Sequence, residues 1–96
     1  MLVVISYDVS TSTDEGRRRL RKISKLCLQH GQRVQNSVFE CLVDPVERVL
    51  LIDELLSLID EEQDALRIYD LGKNWKRRVL KYGLKQGYDP ESALMI

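Results

Sequence analysis

The stretch Leu-Val-Val-Ile-Ser-Tyr at residues 2–7 constrains the fold more than any other part of the chain. It is a nearly continuous apolar run rich in β-branched residues, which suits a central strand covered on both faces. It is far too short to span a bilayer, which takes about 20 apolar residues in a helix. Neither a basic leader nor a cleavage pattern accompanies it, so the expectation is a cytoplasmic protein with no membrane partner. The run stops at Asp8, which puts a carboxylate at the carboxyl end of the strand.

The remaining pattern supplies the other elements. Ser12 and Glu15 are spaced as a capping box, predicting a helix that Gly31 ends. On it Leu20, Ile23 and Cys27 recur at helical spacing and face inward, while Arg18, Arg21, Lys22 and Lys25 fall on the opposite side. Residues 32–43 read as two short strands around a turn at Asn36 and Ser37. Asp44 followed by Pro45 starts a second helix. Its expected buried stripe is Val49, Ile52, Leu56 and Ile59; Leu51, Leu55 and Leu58 widen it beyond the need of one sheet face, leaving a surplus to cover a partner or the chain's own tail. Residues 65–71 form the next strand, Gly72 and Asn74 a turn, and residues 77–82 an expected fifth strand. After Tyr88-Asp89-Pro90, residues 93–96 are an apolar terminus that would be frayed or adhesive unless paired. The order predicts an α+β fold on the ferredoxin-like βαββαβ plan with additional C-terminal strands. The expected division is a domain over residues 1–82 and a C-terminal segment over residues 83–96.

A chain of 96 residues, 44% of them hydrophobic, can bury one modest core and has little room for a deep pocket. Function is therefore expected on a surface or between subunits. Cys27 and Cys41 sit in apolar periodic segments and read as buried free thiols of a reducing compartment. The net charge of zero conceals segregation. Residues 16–39 carry Arg17, Arg18, Arg19, Arg21, Lys22, Lys25 and Arg33 with no acidic residue among them. Residues 40–70 are strongly acidic, and residues 71–88 are basic again, with Arg77 and Arg78 among them. Such blocks can make a field that suits a polyanion, or can be ordinary solvated helix surfaces.

The single histidine, His30, stands beside the helix-ending Gly31, a position for meeting free carbonyls rather than for catalysis. No Ser-His-Asp arrangement, Walker loop, GxGxxG or zinc-ligand spacing occurs, so acyl transfer, nucleotide hydrolysis and dinucleotide chemistry have no support. A carboxylate such as Asp8 could hold Mg²⁺, which keeps several waters and accepts few protein ligands when phosphate supplies the rest. One aspartate per chain is a thin site, which two-fold symmetry could complete with a second copy. The alternative is that Asp8 caps the loop after the strand. Tyr7 reads equally as core or as a base-stacking group. Trp75, amid Lys73, Lys76, Arg77 and Arg78, suits either a nucleic-acid surface or the anchoring of a sheet edge.

Four strings look familiar together: VVISYDV at residues 3–9, RRLRK at 18–22, GQRVQNSVFEC at 31–41 and LRIYDLG at 66–72. The chain resembles the small subunit of the universal pair of CRISPR spacer-acquisition proteins. That resemblance implies a ferredoxin-like protomer in a two-fold homodimer whose C-terminal strand crosses to extend the partner's sheet. It implies Asp8 as the metal-binding and catalytic residue, with Mg²⁺ or another divalent cation. Tyr7, Arg33 and Phe39 match family positions, and the first-helix cations, Arg17, Arg18, Arg19 and Arg21 with Lys22, match as a group, all expected at nucleic acid together with Arg77 and Arg78. The implied partners are a CRISPR integrase subunit and duplex DNA, and RNA as a further substrate. Members are described as metal-dependent nucleases or as a non-catalytic bridge between integrase dimers; the fold also resembles toxin endoribonucleases.

Overall fold

The computed structural model describes residues 1–83. Their order is strand β1 (Leu2–Asp8), helix α1 (Asp14–His30), β2 (Gly31–Gln35), β3 (Val38–Leu42), α2 (Pro45–Leu58), β4 (Ala65–Gly72) and a 3₁₀ turn at Trp75–Arg77. The strands form one sheet in the order β2-β3-β1-β4, with antiparallel pairing at every junction. This is the expected βαββαβ plan, and the apolar run of β1 does take a central place.

Burial divides β1 by its period of two. Val3, Ile5 and Tyr7 join a core with Phe39 and Cys41 of β3, Ile23, Leu26 and Cys27 of α1, and Leu51 and Leu55 of α2. Both helices therefore cover one side of the sheet. On the other side Val4 and Ser6 are only half-buried and Asp8 is exposed, so the expected cover on both faces is realised on the helix side alone. Leu2 and Trp75 are the buried hydrophobics outside the helix-side core among the described residues. Since Leu2 pairs with Gly72, the turn that carries Trp75 leaves the sheet at the Leu2 end.

The helix boundaries correct the sequence reading in one detail. Thr13, not Ser12, caps α1: its side chain accepts from the Gly16 amide at 3.1 Å, while the Ser12 hydroxyl meets that of Ser10 at 3.2 Å. Asp44 caps α2 as expected, accepting from the Glu47 amide at 2.8 Å. Gly31 ends α1 and begins β2 with no loop between. A methyl group there would lie 2.2 Å from the Glu40 carbonyl oxygen and 2.6 Å from Cys41 Sγ, so the close approach to β3 requires glycine.

The stripe assigned to α2 is also corrected. Val49 and Leu56 are 56% and 50% exposed, whereas Leu51 and Leu55 are buried and Leu58 and Ile59 pack against the core. Because the helix is apolar around most of its circumference, hydrophobicity alone does not fix its rotation. Two adjacent polar residues do: Glu47 pairs with His30 at 2.7 Å, and Arg48 makes two bonds to Asp70 of β4, at 2.7 and 2.6 Å. His30 thus binds a carboxylate rather than free carbonyls.

Residues 77–82 form no strand. The Arg78 and Val79 amides both donate to the Trp75 carbonyl, at 2.8 and 3.0 Å, and this local coiling takes the place of pairing with a neighbour. Trp75 is buried, which favours the anchor over the exposed aromatic. The expected adhesive segment at residues 93–96 lies outside the described residues. Among the described residues no helix is long and apolar enough to cross a membrane.

Candidate metal and nucleic-acid site

The alternation that buries Tyr7 turns Asp8 to the open face of the sheet. Asp8 stands opposite Ala65, and Ser6 opposite Arg67, in the β1–β4 ladder. These residues, with Tyr7, Ser37 and Tyr69, line a shallow groove of about 430 Å³. The exposed Asp8 carboxylate makes no hydrogen bond or ion pair among the described residues.

Its freedom has a cause. The loop amide that Asp8 could have capped, that of Ser10, donates to Asp64 Oδ1 at 3.1 Å. Asp64 also accepts from the Asp60 amide at 2.9 Å and from Arg19 Nε at 2.8 Å, with its side chain fully buried. Burial pushes the Asp64 pKa up, but the Arg19 guanidinium and the two amides outweigh it and hold the carboxyl below the usual range. Asp64 is therefore the loop cap, and Asp8 is left open to solvent.

The rings of the aromatic candidates are buried on the core side of the sheet. Tyr7 is 3% and Phe39 0% exposed, their rings stacked with centroids 6.0 Å apart, and the Tyr7 hydroxyl is bonded to that of Ser24 at 2.7 Å. Neither ring is exposed for stacking on a base in this arrangement, where the sequence reading expected both at nucleic acid. Both are pulled inward by the core face of β1 and β3. Tyr7 instead fixes the carboxyl end of β1, its amide donating to the Ser37 carbonyl at 3.1 Å. Arg33 is exposed and lies over Phe39, its guanidinium carbon 5.2 Å from the ring centroid, an orientation held by cation–π attraction.

The first-helix cations separate into two kinds. Arg18, Arg21 and Lys22 are exposed on α1. Arg19, expected with them at nucleic acid, is instead paired with Asp64. Arg17 pairs with Asp14 and donates to the Thr11 carbonyl at 3.0 Å. Since α1 begins at the end of the sheet where β1 finishes, these cations share that end with Asp8 but belong to the helix layer; the structure does not bring them into its groove. Arg77 and Arg78 are exposed, Arg78 donating to the Leu71 carbonyl at 3.2 Å.

No group of three or more His, Cys, Asp or Glu residues able to hold a metal occurs among the described residues. Cys27 and Cys41 are free and buried, and burial pushes both thiols up to about 12, which makes them inert core residues. Asp8 supplies the one carboxylate among the residues that line the groove.

The profile of the family described as CRISPR associated protein Cas2 matches residues 1–79. The chain belongs to the Cas2 family. It is 54% identical over 96 residues to the CRISPR-associated endoribonuclease Cas2 of Nitratidesulfovibrio vulgaris, covering 100% of this chain and 94% of that one. To the CRISPR-associated endonuclease Cas2 of Halalkalibacterium halodurans it is 56% identical over 95 residues, covering 99% of each. Among solved structures, that of Streptococcus pyogenes Cas2 at pH 6.5 superposes with a TM-score of 0.74 at 55% identity, covering 86% of this chain and all of that one.

Three residues of this Cas2-family site escaped the sequence reading. Arg67 and Tyr69 share the open face with Asp8, and the alternation of LRIY carried that signal without saying which face stays open. Asp64 carried none, because its partners Arg19 and Ser10 lie 45 and 54 positions away.

Proposed function

We propose that this Cas2-family chain acts in CRISPR spacer acquisition as a homodimer that binds duplex nucleic acid and docks an integrase subunit, and that it hydrolyses phosphodiester bonds with Mg²⁺ held by Asp8 of both protomers. The observation that carries the reading is the exposed Asp8 carboxylate, unpartnered among the described residues, in a groove on the side of the sheet that no helix covers. Its relatives' names, endoribonuclease and endonuclease, support the same class of chemistry.

One carboxylate per chain fits Mg²⁺ only as a half-site. It suits an ion that takes few protein ligands and completes its shell with water and phosphate oxygens. Such a cation supplies neutralisation of phosphodiester charge and acidifies an attacking water. The chain's own part is to hold Asp8 outward on a rigid strand, with the neighbouring loop tied to Asp64 so that the carboxylate keeps its lone pairs. Half-exposed Tyr69 and the partly exposed Val4 and Val38 give the open face apolar area for a second copy. Whether RNA or double-stranded DNA is cut is decided by assaying both.

A second reading, a non-catalytic adaptor between integrase dimers, is favoured by one observation: Arg18, Arg21 and Lys22 lie on the helix layer, away from the Asp8 groove. Duplex grip through them is separable from Asp8, and would be largely sequence-blind.

The test is Asp8→Ala, assayed on RNA and duplex DNA across a Mg²⁺ titration. Cleavage is expected to vanish while dimerisation and duplex binding persist. Cleavage at the parent's rate would remove the catalytic reading. Spacer integration that survives Asp8→Ala but fails on charge reversal at Arg18, Arg21 and Lys22 would establish the adaptor instead.

A further inference from the structure

Resting on the reading of the Asp8 groove as a phosphodiester site, we infer that Arg67 is its anion-binding residue and grips a non-bridging phosphate oxygen of the nucleic acid. Arg67 faces Ser6 directly in the β1–β4 ladder, two positions from the Ala65 that faces Asp8. Alternation puts its side chain on the same open face, and both residues line the one groove.

The arginines of this chain differ in what they hold. Arg19 and Arg48 each make two bonds to a carboxylate. Arg67 is exposed and has no carboxylate within ion-pair reach among the described residues. Its hydrogen bond there is to the Tyr69 hydroxyl, at 3.5 Å. A guanidinium has five N–H donors in a planar fork, so a contact through Nη1 leaves most of them for a ligand while biasing the plane.

Asp8 and Arg67 are thus opposite charges in one groove that do not pair with each other. Diagonal positions on neighbouring strands stand roughly 7–8 Å apart, within reach of a long side chain, yet the guanidinium is turned to Tyr69 and both charges stay available to a ligand. The ligand that satisfies both is an anion accompanied by a cation: the phosphate oxygen takes the guanidinium fork, which matches it bidentately, and the cation takes the carboxylate. Ser6 and Ser37 add neutral hydroxyls to the lining. A neutral or cationic ligand would leave Arg67 unmatched.

The experiment compares Arg67→Gln and Arg67→Lys with the parent and with Asp8→Ala. Binding of labelled oligonucleotides is measured without added metal over a range of salt, and cleavage with Mg²⁺. Arg67→Gln is expected to weaken binding about tenfold and to reduce the slope of log affinity against log salt by about 1. Arg67→Lys should restore the slope, since the charge returns, but not the full kcat/KM, since the fork does not. The melting temperature should stay at the parent's value, because the side chain is exposed. If Arg67→Gln keeps the parent's affinity, slope and kcat/KM while Asp8→Ala abolishes cleavage, the Arg67 inference is overturned and the Asp8 reading stands. If Asp8→Ala cleaves like the parent, the Asp8 reading falls, and unchanged binding by Arg67→Gln would then overturn this inference as well.

Discussion

Arg19 and Asp64, 45 positions apart, meet through two hydrogen bonds, Nε to Oδ2 at 2.8 Å and Nη2 to Oδ1 at 3.2 Å. Together with the Ser10 and Asp60 amides on the same carboxylate, they tie α1, the loop after β1 and the loop before β4 into one knot. Removing one partner of a buried pair leaves an uncompensated charge. Asp64→Ala should therefore lower the melting temperature by several degrees and speed exchange of the Ser10 amide. A melting temperature and a Ser10 exchange rate equal to the parent's would show that the knot does not hold the loop.

The same carboxylate sets part of the response to acid. The Asp64 carboxyl lies below its ordinary value, as does that of Asp70 through its bonds from Arg48. The unfolded chain, whose aspartates titrate at about 3.9, then binds more protons than the folded one in this window. Stability is full above that value and falls as pH drops toward the depressed native values. In urea titrations from neutral pH downward, Asp64→Asn should flatten this fall. An equally steep loss in the variant would place the acid sensitivity elsewhere.

Phe39 has no exposure while Arg33, lying over its ring, is exposed. Phe39→Ala should cost about 3–5 kcal/mol of stability through the lost core, so any loss of function follows unfolding. Arg33→Gln should cost no more than about 1 kcal/mol, the scale of an exposed cation–π contact, and should weaken nucleic-acid binding without lowering helix content by circular dichroism. A stable Phe39→Ala variant with specifically impaired binding would contradict the burial of the ring.

The strands, both helices and their order were legible in the sequence because β1, α1 and the Asp44-Pro45 start are marked by local chemistry: apolar period, spacing and capping. Asp8 could be placed at a strand end for the same reason. The rotation of α2 could not be read, because a helix apolar on most sides is oriented by Glu47 and Arg48 finding His30 and Asp70. The residues at 77–82 alternate like a strand, but local bonding back to Trp75 wins. Within the site, a period of two buries Tyr7 and Phe39 and exposes Asp8, but the continuous apolar run of β1 read as covered on both faces and left Tyr7 open between core and base stacking. The commitment of Arg19 followed from no such period, since its partner belongs to a distant loop.

Gly31 offers a test of packing without touching charge. Gly31→Ala would press a methyl against the Glu40 carbonyl and Cys41 Sγ, where overpacking costs about 1–3 kcal/mol. The urea midpoint should fall accordingly, with far-ultraviolet dichroism retained at zero denaturant. An unchanged midpoint would mean that the passage from α1 to β2 is looser than the close approach indicates.

The central claim is that Asp8 acts as a pair across a homodimer, and subunit mixing tests it most directly. Parent and Asp8→Ala chains are unfolded together in equal amounts, refolded, and assayed for Mg²⁺-dependent cleavage against refolded parent at the same total concentration. If both carboxylates are required, about a quarter of the parent's activity should survive, the share of dimers carrying two intact copies under random two-fold pairing. Activity near one half would mean that each Asp8 works alone, and the account of a shared site would be wrong.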